Sequence, residues 1–335
     1  MTKGASAAEI PLIRLAHPLA FAAFLQEVGT TTDHLFRRVG LPVYCDDPSA
    51  FVPLQQAWAL FKAAAQIEDP ALGWHVGRFF GDNGLSAGLL KKIEQAPTLY
   101  QALKRLTQLV SAEASHLELG IFERRTDILF YTQYSTLKDS PGYTTSQSYQ
   151  LEVYVDLIRH YAGPDWVPRE VGIESPTVPR VAEEHFPGSR FRPGLQAGYV
   201  AVPRSLLYMP ARAPGTDSAD QTDVTLCRDR NFTDTLKALI KTYMTDGYPS
   251  SQKMAKLMGV AVRTLHRRLS KAGLTYQEIV DDVRFESACD LLQNTNLQIG
   301  SVSRSVGFDD PSHFSRMFRR VGGLNPVEFR ASLGA

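Results

Sequence analysis

The sequence predicts two parts of different class, a mixed α+β part followed by an all-α part. Three observations predict this. Apolar residues alternate in Leu117-Glu-Leu-Gly-Ile-Phe-Glu and Ile128-Leu-Phe-Tyr-Thr-Gln-Tyr134, whereas the segments around them keep helical spacing. Beyond about residue 230 only helical spacing remains. Between the two parts, Pro210 to Asp223 is rich in Pro, Gly, Ser and Asp and poor in large apolar residues, the composition of a linker. A chain of 335 residues, 44% hydrophobic and 21% charged, has ordinary globular composition and length for two or three domains. The expected division is a flexible tail over 1–12, a first domain over 13–210, a linker over 211–229 and a second domain over 230–335.

Within the first domain, His17 to Val28 and Thr32 to Val39 read as short helices, the second started by Thr32 or Asp33 and closed by Gly40. Leu54 to Ile67 is a helix, and Thr98 to Ala114 another, begun by Pro97-Thr98. The alternating segments flank Arg124-Arg-Thr-Asp127 and predict a β-hairpin. Ser148 to Tyr161 resumes helical spacing; Glu170 to Glu174 and Gly198 to Val202 are short strand candidates.

The second domain carries the most specific pattern. A helix from about Gln298 to Val306 stops at Gly307, suited to the left-handed turn that ends a helix, and Asp310-Pro311 starts another, because the carboxylate accepts orphan N–H groups and Pro is harmless at the first position. Phe314, Met317, Phe318 and Val321 then share one face, and Ser312, Arg316, Arg319 and Arg320 the opposite one. The same design occurs upstream from Ser251 to Leu269, broken at Gly259. There Val262, Leu265 and Leu269 form the apolar stripe, and Arg263 and Arg267, with His266 beside them, project away from it. These are two helix-turn-helix units, over about 250–271 and 298–321. An amphipathic helix from Tyr276 to Gln293 joins them, with Ile279, Val283, Ala288, Leu291 and Leu292 as candidate core. At 1.5 Å per residue it spans roughly 27 Å, which with its flanking turns sets two reading helices about one duplex turn, roughly 34 Å, apart.

Charge follows the division. Residues 230–335 carry 15 Lys and Arg against 10 Asp and Glu, and residues 1–229 carry 21 against 25, although the whole chain is only +1. Double-stranded DNA is therefore the expected partner of the second domain alone. The candidate contacts are Arg263, Thr264, His266, Arg267, Arg268, Ser312, His313, Arg316, Arg319 and Arg320. Arg268 and Lys271 lie off the main axis and suit phosphates, and His313 is open to either base reading or helix capping. With no run of about 18 apolar residues and no signal pattern, a cytoplasmic protein with no membrane partner is expected. Cys45, Cys227 and Cys289 are too far apart in sequence to suggest a disulfide framework, and the eight His residues show no ligand-pair spacing, so no metal or other cofactor is expected.

At Arg263 to Leu269, Gly273-Leu-Thr275, Arg284 with Ala288 and Leu291-Leu292, Gly307-Phe308, Phe314-Ser-Arg-Met-Phe318 and Gly323-Leu-Asn-Pro326 to Phe329-Arg330, the chain resembles the AraC/XylS family of bacterial transcription regulators. The resemblance covers about 85 residues. A looser one, through Val52-Pro-Leu-Gln-Gln56, Asp69-Pro-Ala-Leu-Gly73, Ala96-Pro-Thr-Leu-Tyr-Gln-Ala-Leu103 and Gly163-Pro-Asp-Trp-Val-Pro-Arg169, is to the arabinose-binding-type effector and dimerisation domain of one branch of that family. It implies a regulator that binds promoter DNA, answers to a small-molecule effector, forms a homodimer and, as an activator, meets RNA polymerase. Ala261 stands where the family usually has a capping Ser or Thr, Asn325 where it has Ser, and Gly300 and Ser303 where it has Ala. These departures predict a cost in stability, up to about 1 kcal/mol for Gly300.

Two other readings remain at this point. Gly84-Leu-Ser-Ala-Gly88 matches the G-x-S-x-G elbow of hydrolases, with Ser86 as nucleophile of an enzyme bearing a DNA-binding tail. However, Phe79-Phe-Gly-Asp-Asn83 is too short and turn-rich for the required strand, and a helix start before Leu89 accounts for the same residues, so no catalytic residue is assigned. The third reading is a constitutive DNA-binding dimer, favoured if the first domain lacks a pocket of about 300 Å³. Tyr131, Tyr134, Tyr143, Tyr149, Tyr154, Trp166 and Tyr199 are aromatics open to either pocket or core, and no effector-binding residue is assigned.

Overall fold

The computed structural model describes residues 10–211 and 231–333, which fall into two compact units, one on each side of the linker. Of the expected tail, residues 1–9 lie outside the described residues, as does the linker beyond residue 211. Leu12, assigned to the tail by sequence, instead opens a strand by pairing with Pro53.

In chain order the first unit holds β1 (Leu12–Arg14), α1 (Ala16–Glu27), α2 (Asp33–Val39), β2 (Phe51–Pro53), α3 (Leu54–Ile67), α4 (Leu72–Phe80), α5 (Ala87–Glu94), α6 (Leu99–Leu109), β3 (Leu117–Glu123), β4 (Asp127–Tyr134), α7 (Tyr143–Ala162), β5 (Glu170–Gly172), α8 (Arg180–His185), β6 (Arg190–Arg192) and β7 (Gly198–Pro203). β1 and β2 pair with each other, and the other strands form a sheet in the order β3-β4-β7-β5-β6, antiparallel except for β5 beside β6. The expected hairpin is β3-β4, with Leu117 opposite Tyr134 and Glu123 opposite Ile128. Its period of two turns Ile128, Phe130, Thr132 and Tyr134 inward, where α7 covers them. The Phe130 and Tyr154 rings stand 5.4 Å apart, Thr132 Oγ1 donates to Gln150 Oε1 at 3.0 Å, and Gln150 Nε2 donates to the Tyr134 hydroxyl at 2.9 Å.

On its other side α7 is packed by α4, and two glycines set the approach. A Cβ on Gly73 would stand 2.1 Å from the Thr145 carbonyl oxygen, and one on Gly77 2.5 Å from Glu152 Cβ. Layers on both sides explain why α7 buries Thr145, Ser146, Gln147, Ser148, Gln150 and Glu152. That run of polar residues hid the first turns of the helix, which begins at Tyr143 rather than Ser148. The helix expected over Thr98 to Ala114 ends at Leu109, and a single tighter turn over Val110–Ala112 then re-aims the chain so that Glu113 points inward.

The second unit holds α9 (Phe232–Tyr243), α10 (Ser251–Leu257), α11 (Val262–Lys271), α12 (Tyr276–Asn294), α13 (Ile299–Ser305), α14 (Pro311–Gly322) and α15 (Pro326–Leu333). α12 is the shared wall. Ile279, Val280 and Val283 bury its first half; Ala288 and Leu292 of its second half join Val302, Val306, Phe314, Met317 and Phe318 in one core. No described helix is long and apolar enough to cross a membrane.

The close approach of α4 to α7 leaves no room for a methyl group. Gly77→Ala is therefore expected to destabilise the protein by about 1–3 kcal/mol through overpacking. Urea melts of the full chain followed at the first unit's tryptophans would show this as a lower midpoint; an unchanged midpoint would mean that the helices part without cost.

Candidate DNA-reading helices and effector cavity

In the first helix-turn-helix unit, the Ser250 hydroxyl accepts from the backbone of Lys253 at 3.2 Å and caps α10, and Gly259 turns the chain at φ +65°. α11 follows with its methyl-only cap residue Ala261, which makes no side-chain hydrogen bond. Leu265 and Leu269 are buried and Val262 half-buried, whereas Arg263, His266 and Arg267 are exposed and Thr264 is half-exposed. Arg268 leans back, its guanidinium 4.9 Å from the Phe232 ring centre. α12 then starts with a reciprocal cap: Thr275 Oγ1 accepts from the Glu278 backbone at 3.2 Å, and the Glu278 carboxylate accepts from the Thr275 backbone at 2.7 Å.

The second unit repeats this geometry. Gly307 turns at φ +77°, and the Asp310 carboxylate accepts from the Ser312 backbone N–H at 2.8 Å, which holds its carboxyl below the usual range. With Pro311 in the first turn, α14 buries Phe314, Met317 and Phe318 and exposes Ser312, His313, Arg316 and Arg319. His313 Nε2 lies 3.7 Å from Asp310, so capping and an outward position coexist. One assignment is corrected: Val321, assigned to the apolar face, is 38% exposed, because α14 runs past the edge of the core before Gly323 ends it. Arg320 is exposed as well, and is ion-paired to the buried Asp281 of α12.

The departures from the family pattern differ in consequence. Asn325 is a working cap: its side-chain oxygen accepts from the backbones of Val327 and Glu328, each at 2.9 Å, and its own N–H donates to Glu328 at 2.8 Å. The expected cost there is corrected. Ser303 is fully buried and donates to the Phe308 carbonyl at 3.4 Å, while a Cβ on Gly300 would meet nothing within 4 Å.

In the first unit a cleft lies among α1, α3, α7, β4 and the segments that hold Gly84, Leu85 and Val110 to Ala114. It is narrow, and as folded here admits water rather than a metabolite. Its walls are apolar at Phe61, Leu117 and Val153, and its polar end is formed by His17, Glu113 and Tyr149. His17 Nε2 stands 3.1 Å from one Glu113 oxygen and the Ser86 hydroxyl donates to the other; His17 Nδ1 is 3.3 Å from the Tyr149 hydroxyl. Burial opposes the charge on Glu113, but hydrogen bonds from His17 and Ser86 and the nearby Arg14 outweigh it and hold the carboxyl below its usual range. Burial pushes the Tyr149 and Tyr154 hydroxyls up, so both stay neutral.

This geometry does not favour the hydrolase reading. Ser86 caps α5 in an extended conformation, and its proton is directed to Glu113, with His17 on the far side of that carboxylate. An activated serine needs the base beside it. Of the aromatics left open, Tyr134, Tyr149 and Tyr154 line the cleft. Tyr131 and Tyr199 cover Gly120 and Gly172 on the outer sheet face, and Tyr143 donates to Glu174 at 2.6 Å. His17, Glu113 and Ser86 meet across 96 residues of sequence, with no local spacing to signal it.

Residues 254–332 match the family model of a helix-turn-helix domain, and residues 29–210 that of the arabinose-binding domain of AraC transcription regulators. An uncharacterized HTH-type transcriptional regulator of Mycobacterium tuberculosis is 27% identical over 95% of this chain and 97% of its own length. VqsM, an HTH-type transcriptional regulator of Pseudomonas aeruginosa, is 39% identical over 26% of this chain and 27% of its own. The crystal structure of the transcriptional regulator CdpR from Pseudomonas aeruginosa overlays 98% of this chain and 100% of its own with a TM-score of 0.42 at 19% identity.

A hydroxyl at the uncapped start of α11 has an orphan N–H to meet. Ala261→Ser is expected to stabilise the second unit by about 0.5–2 kcal/mol, seen as a higher midpoint in circular dichroism melts of the full chain. No gain would mean that solvent already satisfies that end. The two matched regions together span both units, and the chain belongs to the AraC family of transcription regulators, as a DNA-binding regulator with an N-terminal effector domain.

Proposed function

We propose that this regulator binds double-stranded promoter DNA as a homodimer through the outward faces of α11 and α14, in the cytoplasm, under control of a small molecule bound in the cleft of the first unit. One observation carries the DNA reading: both second helices bury an apolar stripe and expose the cationic face opposite it. Arg263, His266 and Arg267 on α11, with Thr264 at the edge, match Ser312, His313, Arg316 and Arg319 on α14. Arg268, resting on Phe232, suits a phosphate, and so does Arg320, exposed and held by its partner Asp281. Promoter activation would add RNA polymerase as a partner. The tail, two domains and linker divided by sequence, with Leu12 moved into the first domain, belong to the same proposal.

What supports effector control over a constitutive dimer is the make-up of the cleft, a polar end of His17, Glu113 and Tyr149 at the end of apolar walls; a small molecule would enter as the cleft widens. Its apolar walls and carboxylate end fit a small, largely apolar molecule with a hydrogen-bond donor. A ligand carboxylate would meet Glu113 and be repelled. A metabolite screen by thermal shift on the full chain tests this, because a ligand at 100 times its Kd stabilises by about 2.7 kcal/mol. The shift is expected to vanish in Val153→Phe, which fills the cleft; a ligand that still stabilises a cooperatively melting Val153→Phe protein would place the effector elsewhere.

For the reading helices, Arg267→Ala and Arg316→Ala are each expected to weaken specific operator binding by about 1–3 kcal/mol and relax preference at one half of the site. Arg268→Ala is expected to weaken specific and random DNA alike and lower the salt slope. Gel-shift titrations at two or more salt concentrations separate these outcomes. Equal losses on operator and random DNA for Arg316→Ala would reduce it to a phosphate contact.

A further inference from the structure

A helix alone does not fix the phase of two modules attached through turns. α12 leads from α11 through the turn at Gly273 and on to α13 through residues 295–298, and each of these joints is a place where a unit swivels unless side chains hold it. One cluster spans the joint between the units. Tyr248, just before α10 of the first unit, donates its hydroxyl to the Val306 carbonyl in the second unit at 2.5 Å, and its ring covers Gly307, where a Cβ would stand 2.0 Å from the ring. Between that ring and Phe308 lies the Arg284 guanidinium of α12, 3.9 Å from the Tyr248 centroid and 4.4 Å from that of Phe308, with Nη2 donating to the Gly307 carbonyl at 3.4 Å.

Below it the carboxylate of Asp281, 4% exposed, faces Arg284 at 3.9 Å, accepts from Gln277 at 2.9 Å and takes Arg320 of α14 on its other oxygen. This cation meets a ring from the first helix-turn-helix unit, a ring from the second and a carboxylate from the joining helix, with its Nε buried and without a hydrogen-bond partner. A flat guanidinium held between two planes and tied to a carboxylate has one low-energy arrangement, and that arrangement exists in only one mutual orientation of the units.

We infer that the Tyr248-Arg284-Phe308 sandwich, anchored by Asp281, is the positioning device that fixes the rotational phase of the two helix-turn-helix units, so that this seam sets the operator spacing the protein accepts. The inference rests on the two-unit reading of DNA proposed above. Arg284 touches no DNA in this account; it acts through Tyr248 and Phe308. Arg320 likewise serves the seam, by completing the charge around Asp281.

The test uses the full-length protein and an operator selected from random duplexes by the unaltered protein. Four DNAs are titrated: the full site, each half site alone, and the full site with one base pair added between the halves. The unaltered protein is expected to prefer the full site over the better half site by about 100-fold or more, as two rigidly linked modules do, and to lose most of that advantage on the spaced site. Arg284→Lys keeps the charge and length but not the flat stacking surface, and Tyr248→Phe keeps the ring but not the bond to Val306. Both are expected to bind each half site within about twofold of the unaltered protein, while the advantage of the full site falls by about tenfold or more and the penalty of the added base pair shrinks with it. Retention of the full advantage and the full spacing penalty in both variants would overturn the inference. So would a loss at the half sites in step with the full site, which would assign Arg284 to folding alone. If the unaltered protein itself showed no preference for the full site, the two-unit reading would fail first.

Discussion

Burial on two sides of one helix is the constraint on which the DNA-binding unit depends. α12 gives Ile279, Val280 and Val283 to the packing of its first half and Ala288 and Leu292 to the core it shares with α13 and α14. A helix buried twice has little surface left for solvent, and it carries its charges where neighbouring helices can meet them: Asp281 to Arg320, Asp282 to Lys237 at 2.8 Å. Because α12 holds the apolar stripe of α14 inward and α10 packs against α11, the opposite faces of α11 and α14 point outward. The cationic character of those faces follows from what the core does not need. Phe314 and Phe318, in tilted and edge-on contact with Phe308, Phe285 and Phe329, give the second unit an aromatic core large enough for a three-helix wall.

The first unit solves a different problem. Its central helix α7 lies between the sheet and α4 and brings six polar side chains into the interior, which is tolerable only where each finds a partner. Thr132, Gln150 and Tyr134 satisfy one another; Gln147 bonds Glu174 through both ends of its amide, at 2.9 Å each. Glu113 with His17 and Ser86 forms a third such set at the end of the cleft. Groups paired among themselves at the end of an apolar cleft are suited to exchanging partners, because a ligand that replaces one hydrogen bond with another costs little and releases confined water. This is why the polar end, rather than the volume alone, favours a binding role.

What was legible in the sequence was local. Gly307, Asp310-Pro311 and the spacing of Phe314, Met317 and Phe318 each act within one or two turns of helix, and α14 lies where they place it. The β3-β4 hairpin was legible for the same reason, since alternation is a property of the strand itself. What was not legible depended on distant surfaces. α4 has no element assigned from sequence, and its Gly73 and Gly77 are where α7 approaches closely. The first turns of α7, before Ser148, are likewise unassigned, being polar residues whose burial follows from two covering layers. β1, β2, β6 and α8 span too few residues for any period to show. Val321 follows the helical period of its neighbours, yet the core ends before it, and no sequence pattern marks where a core ends.

The basic residues show the same limit more sharply, and it bears on specificity. Arg263, Arg267, Arg316, Arg319 and Arg320 are equivalent in sequence, being cations opposite an apolar stripe, with Arg268 off that axis. In the fold they divide further. Arg268 rests on Phe232, and Arg320, although exposed, is tied to a buried carboxylate contributed from 39 residues upstream, while Arg263, Arg267, Arg316 and Arg319 stay outward. A buried carboxylate selects the nearest cation because leaving it unpaired costs more than any exposed phosphate contact returns. Asp281 thus ties one exposed arginine of α14 back to α12. In the proposed reading each unit has few direct contacts to give, and discrimination would depend on both units engaging at a fixed spacing rather than on the strength of either. That places the demand for accuracy on the seam between the units, where Tyr248, Arg284 and Phe308 stand.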